Sequence, residues 1–416
     1  MARSRRPRTK PPLEYSLIYT ATLCLLALGA IMVYSASSAE SLLDGSGDPS
    51  YYLKRYVALA VVGVVVLQLA SRHGLAVIKA VTPVLLLASF VLTALVMLPG
   101  FGVTVNGATR WLGAGPLQFQ PSELLKLSLV LFAVQLLAAR PSATQSFGGL
   151  SKPLLIVVGL ACALLLKQPD MGTAMVICFT IGTLLFVAGT PMRLLGAIGG
   201  GGAALALVFA LIEPYRRERL TAFLDPWSDA GDTGFQSVQS MIAIGSGGPV
   251  GVGLGESVQK IFYLPEAHTD MILAIIGEEL GLVGIVSVVG LYGLIAYAGF
   301  RAAKHARDRY AKLLAAGITA LILCQATLNM FAVMGLAPLT GIPLPLISYG
   351  NSNLIVVMAA MGLLLNVAAT GGAATTRTRR LRALDGGRSD DSRRNRGRRD
   401  SRSRRSGTGS RRRAAG

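Results

Sequence analysis

Residues 81–98 read VTPVLLLASFVLTALVML, an uncharged run close to the roughly 20 residues that a helix needs to cross a bilayer core. Residues 192–212 and 347–369 repeat the pattern over similar lengths. Working outward along the chain, ten spans fit, at about 15–36, 55–70, 75–98, 122–139, 150–166, 171–189, 192–212, 271–299, 310–334 and 346–369. In the fifth only 153–166 is continuously apolar, which is short for a span. Composition agrees: 52% of the 416 residues are hydrophobic and 15% charged, whereas soluble domains carry about 25% charged residues. The expected fold class is an all-α polytopic membrane protein with ten transmembrane helices. Basic residues precede the first apolar stretch as in a signal peptide, but 17–33 is longer than an h-region of about 7–15 residues. It is expected to be a retained first helix.

The net charge of +19 is confined to the ends. Residues 1–12 carry +5 and residues 371–416 carry +12, from 16 Arg against four Asp, so the rest of the chain is close to neutral. The Arg/Ser/Gly-rich segment from Gly371 onward lacks the apolar residues to bury a core and is expected to be a disordered tail. Its lack of aromatic side chains argues against nucleic acid as a partner, and two polybasic tails fit anionic lipid instead. Three domains follow: a basic N-tail (1–12), a membrane domain (13–370) and the C-tail (371–416). With the N-terminus in the cytoplasm, 31 of the 40 Lys and Arg fall inside and nine outside. Both termini are therefore expected to be cytoplasmic, with a long extracytoplasmic loop at 213–270 between helices 7 and 8.

Cys24, Cys162, Cys178 and Cys324 sit in apolar runs without metal spacing and read as small core residues. The long loop carries Phe235, Val238, Met241 and Ile242 at helical spacing, which predicts a short helix at the interface. Gly251-Val252-Gly253-Leu254-Gly255 has the look of a phosphate nest, but no strand precedes it and no GK[ST] follows. Ser257-Val258-Gln259-Lys260 matches S-x-x-K without the S-D-N or K-T-G that accompany it in penicillin-interacting enzymes.

Charge at membrane depth is costly unless it serves something, and on the outer side four places combine the two. Asn106-Gly107-Ala108-Thr109-Arg110-Trp111 offers a cation beside an indole, either a headgroup site or an aromatic-belt anchor. Glu123 and Lys126 are three apart and share a helix face, either as a packing ion pair or with Lys126 offered to an anion. Lys167-Gln168-Pro169-Asp170 is a charged turn between two spans. In the long loop, Arg216, Arg217 and Arg219 need an anionic partner on this side of the membrane. Asp270 stands directly before an apolar helix, where partial burial would raise its pKa and suit a general base; a helix cap is the plainer alternative. Ser348-Tyr349-Gly350-Asn351-Ser352-Asn353 opens the last span and offers hydroxyl and amide donors.

These stretches together resemble the SEDS family of FtsW, RodA and SpoVE proteins. The resemblance rests on Arg217-Glu218-Arg219-Leu220, Phe223-Leu224-Asp225-Pro226-Trp227, Gly234-Phe235-Gln236, Ile244-Gly245-Ser246-Gly247-Gly248 and residues 264–270. It extends to Asn106-Gly107, Arg110-Trp111, residues 120–126, Gln168-Pro169-Asp170, and Gly341-Ile342-Pro343-Leu344-Pro345 with Ser348-Tyr349-Gly350, in order over about 15–370. Leu264-Pro265-Glu266-Ala267-His268-Thr269-Asp270 looks like the FtsW branch, because RodA usually has a different residue at the Ala267 position. Two departures are Gly350-Asn351-Ser352-Asn353 where Gly-Gly-Ser-Ser is usual, and Met171 for Leu.

The resemblance implies an inverting peptidoglycan glycosyltransferase that polymerises lipid II, the undecaprenyl-pyrophosphate-linked disaccharide peptide, on the outer face of the bacterial cytoplasmic membrane at the division septum. Implied partners are a class B penicillin-binding protein transpeptidase and other divisome proteins. Asp270 would be the catalytic residue. Arg110, Trp111, Glu123, Lys126, Asp170, Arg216, Arg217, Arg219, His268 and Ser348 would bind substrate. The residues hold no dedicated carboxylate cage, so a divalent cation, Mg2+ or Mn2+, would be brought largely by the substrate pyrophosphate. A lipid II flippase is the competing class; it would place its key charges near the bilayer midplane between repeats, whereas these cluster at the outer face. An elongation or sporulation paralogue of the same family is the other alternative.

Overall fold

The computed structural model describes residues 11–43, 47–105, 108–114, 117–212, 217, 221–261 and 263–371. The helices, in chain order, are α1 (Leu13–Leu43), α2 (Tyr51–Arg72), α3 (Leu75–Leu95), α4 (Pro121–Ala139), α5 (Ile156–Lys167), α6 (Met171–Ala188), α7 (Met192–Ile212), α8 (Phe235–Gly247), α9 (Ile272–Lys304), α10 (Arg309–Val333) and α11 (Asn351–Gly371). An apolar helix stands at each of the ten expected positions. Eight are long and apolar enough to cross a membrane, while Pro153–Lys167 and Met192–Val208 are shorter apolar helices. The chain is a multi-pass helical membrane protein. One turn of π-helix, Ser151–Leu155, precedes α5 and begins the helical stretch ahead of the short apolar run of the fifth span.

Local chemistry sets the helix ends. Pro121 opens α4, where its missing N–H costs nothing, and Glu123 follows in the first turn beside the positive end of the helix dipole. Asp170 caps α6 by accepting from Thr173 N at 3.1 Å, and Asp308 caps α10 by accepting from Ala311 N at 2.8 Å. Such caps stabilise by about 1 kcal/mol.

α10 lies at the centre, packed by α4, α6 and α9, and α1 packs along α9 and α2. α11 crosses α2 closely: a Cβ at Gly362 would lie 2.5 Å from Leu67 O, and one at Gly63 2.9 Å from Met358 Cγ. α2 and α3 turn apolar side chains outward, with Val61 60% and Val84 68% exposed, as a lipid-facing layer does. All four cysteines are free, but Cys24 and Cys178 are exposed on the apolar surface rather than in the core, because that surface faces lipid and can be as apolar as the interior.

Two segments depart from the sequence reading. Residues 99–121, expected only as a loop, contain a three-stranded antiparallel sheet of β1 (Gly102–Val105), β2 (Ala108–Ala114) and β3 (Leu117–Phe119). Val103 pairs with Trp111 and Leu112 with Phe119, so the apolar residues of these short strands meet across the ladder. The helical class therefore holds for the apolar body and not for this segment. The predicted loop helix is α8, which packs on α9 and α10 and anchors Ser240 Oγ to Val333 O at 2.9 Å.

α9 breaks at Gly281 (φ 63°, ψ −158°), and the loop after α8 fills the break. Val252 N donates to Glu278 O (3.0 Å) and Gly253 N to Glu279 O (3.1 Å), while Leu282 N and Val283 N donate to Gly248 O and Pro249 O. The glycine-rich stretch is thus no open phosphate nest: these N–H groups satisfy carbonyls freed by the kink. Two carboxylates sit at the same place. Glu278 accepts from Ser257 Oγ (2.5 Å) and Val258 N (3.0 Å), and Glu279 pairs with Lys260 Nζ (2.9 Å) while Ser35 Oγ donates to it from α1. Ser257 and Lys260 therefore hold this loop down through the two glutamates.

Candidate active site

The loop that α8 and the α9 kink hold in place runs straight into Asp270, two residues before α9 begins. Asn329 on α10 fixes it by donating Nδ2 to Asp270 O (2.7 Å) and to Ile342 O (2.8 Å), which joins this turn to the 339–345 segment. Glu266 adopts φ 54°, a left-handed conformation that a long side chain occupies only where the surroundings impose it. Thr269 Oγ1 lies 3.1 Å from both Glu266 O and Glu266 Oε2 and 3.2 Å from Asp270 Oδ1, so its one proton serves three acceptors and leaves the two carboxylates poorly satisfied. Burial, then the neighbouring Glu266 charge, pushes the Asp270 carboxyl up to about 6; hydrogen bonds and His268 pull the other way. A carboxylate in that range is poised to take a proton near neutral pH.

Asp270 borders a cavity of about 1030 Å³. Its walls come from regions distant in sequence, including α2, α8 and Pro169. β2 contributes Arg110 and Trp111, the loop before α8 contributes Phe223 and Asp232, the 265–270 turn contributes Glu266 and His268, and residues 339–353 contribute Gly341 and Tyr349. Gly341 takes a left-handed φ of 66° that favours glycine, and a Cβ there would meet Asp270 Oδ2 only in ordinary contact at 3.9 Å. His268 packs against Tyr52 with the rings tilted at 44° (centroids 4.3 Å), Tyr52 meets Tyr349 edge-on (5.1 Å), and His268 Nδ1 lies 3.3 Å from Glu40 Oε2. Tyr349 N donates to His268 O at 3.0 Å, tying the start of α11 to the Asp270 turn.

The candidate residues separate into three groups. Asp270, Arg110, Trp111 and His268 line one cavity. Glu123, Lys126, Asp170 and Ser348 do not. Lys126 is sealed against Glu123 Oε1 (2.9 Å) and Gln325 Oε1 (2.8 Å), both ion-pair side chains being 2% exposed, and Asn353 bridges that pair to the cavity wall by donating to Glu123 Oε2 (2.7 Å). Asp170 is committed to its cap and to Ser122 Oγ (3.2 Å), and Ser348 Oγ accepts from Leu344 N (2.8 Å) within its own turn. Arg217 is exposed and does not line the cavity, whereas Arg216 and Arg219, with Asn106, Gly107 and both basic tails, lie outside the described residues.

Sequence reasoning passed over Arg55, Tyr52 and Glu266, all of which line the cavity. Arg55 had a usable signal, being one of nine basic residues expected on the outer side. Glu266 stands four residues before Asp270 in the same quoted motif. In chemical terms the arrangement offers a proton acceptor and cations around a space large enough for sugars.

The family model described as Cell cycle protein, FTSW_RODA_SPOVE, matches residues 15–371. The probable peptidoglycan glycosyltransferase FtsW of Thioalkalivibrio sulfidiphilus is 46% identical over 350 residues, covering 83% of this chain and 87% of that protein. Stage V sporulation protein E of Bacillus subtilis is 38% identical over 361 residues, covering 86% and 97%. Among solved structures, a chain from work on structural coordination of polymerization and crosslinking by a peptidoglycan synthase complex matches with TM-score 0.70 and 31% identity, covering 85% of this chain and 97% of that one. The Thermus thermophilus rod shape determining protein RodA matches with TM-score 0.62 and 29% identity, covering 84% and 95%.

Proposed function

The chain belongs to the FTSW_RODA_SPOVE family of cell cycle proteins, and from that membership we propose that it is a peptidoglycan glycosyltransferase of the FtsW type that polymerises lipid II. The observation that carries the mechanism is the Asp270 carboxyl, held up at about 6 on the wall of a cavity of about 1030 Å³. Asp270 removes the proton from the acceptor sugar hydroxyl as that oxygen attacks the donor's anomeric carbon. The bond to the diphosphate breaks on the opposite face, and the carbon inverts. Arg110 in the wall offsets the charge that builds on the leaving diphosphate. Among the described residues no three His, Cys, Asp or Glu side chains gather as a metal site, so a divalent cation, Mg2+ or Mn2+, is proposed to travel with the substrate.

The proposed orientation has ten spans, both ends in the cytoplasm and the cavity on the outer face of the cytoplasmic membrane; the 31-to-nine distribution of basic residues supports it. A class B penicillin-binding protein is the proposed partner and the division septum the proposed location; the likeness to a chain of a peptidoglycan synthase complex supports the partnership. The test is polymerisation of labelled lipid II by the purified protein with its partner. Glycan ladders are expected. Absence of ladders, with labelled lipid II instead crossing the membrane of proteoliposomes, would contradict the transferase and favour a flippase.

A further inference from the structure

Two arginines border the cavity among the described residues, and their guanidinium groups are in different situations. Arg110 is tied to the 168–169 turn, donating Nε to Gln168 O at 3.1 Å and Nη2 to Pro169 O. Arg55, in the first turns of α2, makes one long bond from Nη1 to the Tyr349 hydroxyl (3.5 Å) and lies over the Tyr51 ring, Cζ 4.8 Å from its centroid. Its Nη2 is buried and has no hydrogen-bond partner. A buried charged donor left unpaired is costly, and a phosphate oxygen relieves that cost with a short, charge-assisted bond.

A second observation lies along the same helix. Positions 55, 58, 62, 65 and 69 follow three- and four-residue spacing and so share one face. Below Arg55 on that face Val62, Val65 and Leu69 are 49%, 54% and 52% exposed, an apolar stripe that meets hydrocarbon in a bilayer. A cation at the top of a lipid-facing stripe, beside a cavity wide enough for sugars, has the layout that a long-chain diphosphate requires. The chain stays in the membrane, the phosphates stop at the guanidinium, and the sugars enter the cavity.

We infer that Arg55 is the diphosphate anchor for a polyprenyl-linked sugar and that the Val62, Val65 and Leu69 stripe of α2 carries its hydrocarbon chain. The inference rests on the glycosyltransferase reading above. It also gives the aromatic cluster a role: Tyr349 touches Arg55 with its hydroxyl and the Asp270 turn with its backbone N–H, so anchor and proton acceptor are held by one residue.

The test is binding to the full chain in phosphatidylcholine nanodiscs, titrating undecaprenyl diphosphate, undecaprenol and inorganic pyrophosphate separately, with unfolding temperature measured on each sample. Wild type should prefer undecaprenyl diphosphate to either fragment. Arg55→Gln should weaken it about ten- to hundredfold, and Arg55→Lys, which keeps the charge without the fork, should fall between. With lipid II, Arg55→Gln should raise KM far more than it lowers kcat. Wild-type affinity in a folded Arg55→Gln protein overturns the anchor; should that variant not fold, undiminished affinity in Arg55→Lys does so. Inorganic pyrophosphate binding as tightly as the lipid overturns the role of the stripe. Glycan formation is followed on the same samples. Polymerisation by wild type alongside undiminished binding by Arg55→Gln refutes the anchor alone, whereas Arg55-dependent binding without any glycan supports the anchor and refutes the polymerase.

Discussion

Lys260 and Glu279 meet at 2.9 Å with side chains 5% and 0% exposed, and Ser35 and Gly255 O complete their hydrogen bonds. Asp270, nine residues earlier than Glu279 in sequence, is held differently. No ion pair reaches it among the described residues, Glu266 repels it, and it faces an open cavity. The residue types are alike and the surroundings opposite. A sealed pair answers its own desolvation cost and has no donor or acceptor left for a ligand. An unpaired carboxylate keeps a cost that the fold does not relieve, which is the arrangement expected where chemistry is done. Lys126 and Glu123 fall with the sealed group, one layer behind the cavity wall.

That contrast can be broken in several ways, taken from the largest expected effect downward. Asp270→Asn should lower the polymerisation rate about 10²- to 10⁴-fold without lowering the unfolding temperature, since it removes a charge whose burial is unfavourable. A melt well below wild type would move Asp270 into the structural group. Glu279→Ala should destabilise by about 3–5 kcal/mol, because Lys260 is left buried without its partner. The double replacement Lys260→Met with Glu279→Leu should recover most of that loss in chemical or thermal unfolding. Gly281→Ala should cost about 1–3 kcal/mol, because φ is 63° and the new Cβ would lie 2.4 Å from Gly251 N; an unchanged melt would mean that the kink relaxes freely. Asn353→Ala, which removes the bridge from Glu123 to the wall, should cost about 1 kcal/mol and change the rate only a few-fold.

What the sequence could and could not convey follows the same division. The spans were legible because long apolar runs have few alternatives, and α8 because Phe235, Val238, Met241 and Ile242 keep a helical period through a polar loop. The cavity sheet was not, since β1 and β3 have four and three residues and their pattern is too short to stand out between glycines. Gly281 reads as one more glycine in an apolar helix, and only the docking of 248–253 shows that the helix breaks there. Asp270 stood out from its place before an apolar helix and from a family resemblance, and the structure sets it on the cavity wall. Whether Lys126 faces a ligand or a partner depended on Gln325 and Asn353, about 200 or more residues away, which spacing along α4 cannot reveal. Arg55 was hidden for the same reason, since Tyr349 lies 294 residues from it.

The most direct measurement is the rate of glycan formation by the unaltered protein against pH, with lipid II held well below its KM so that the free protein's titration is read, and with folding followed on the same samples. A carboxyl raised to about 6 takes up its proton as pH falls through that value, whereas the unfolded chain does so near 3.9. The stability cost of the ionised group is therefore present above about 6 and relieved on acidification, while the base is lost over the same interval. The account predicts a rate that is level above about 7, half-maximal near 6 and about tenfold lower near 5, with the protein still folded. A full rate at pH 5 would contradict it, because the carboxylate in the cavity would then not be the group that takes the proton.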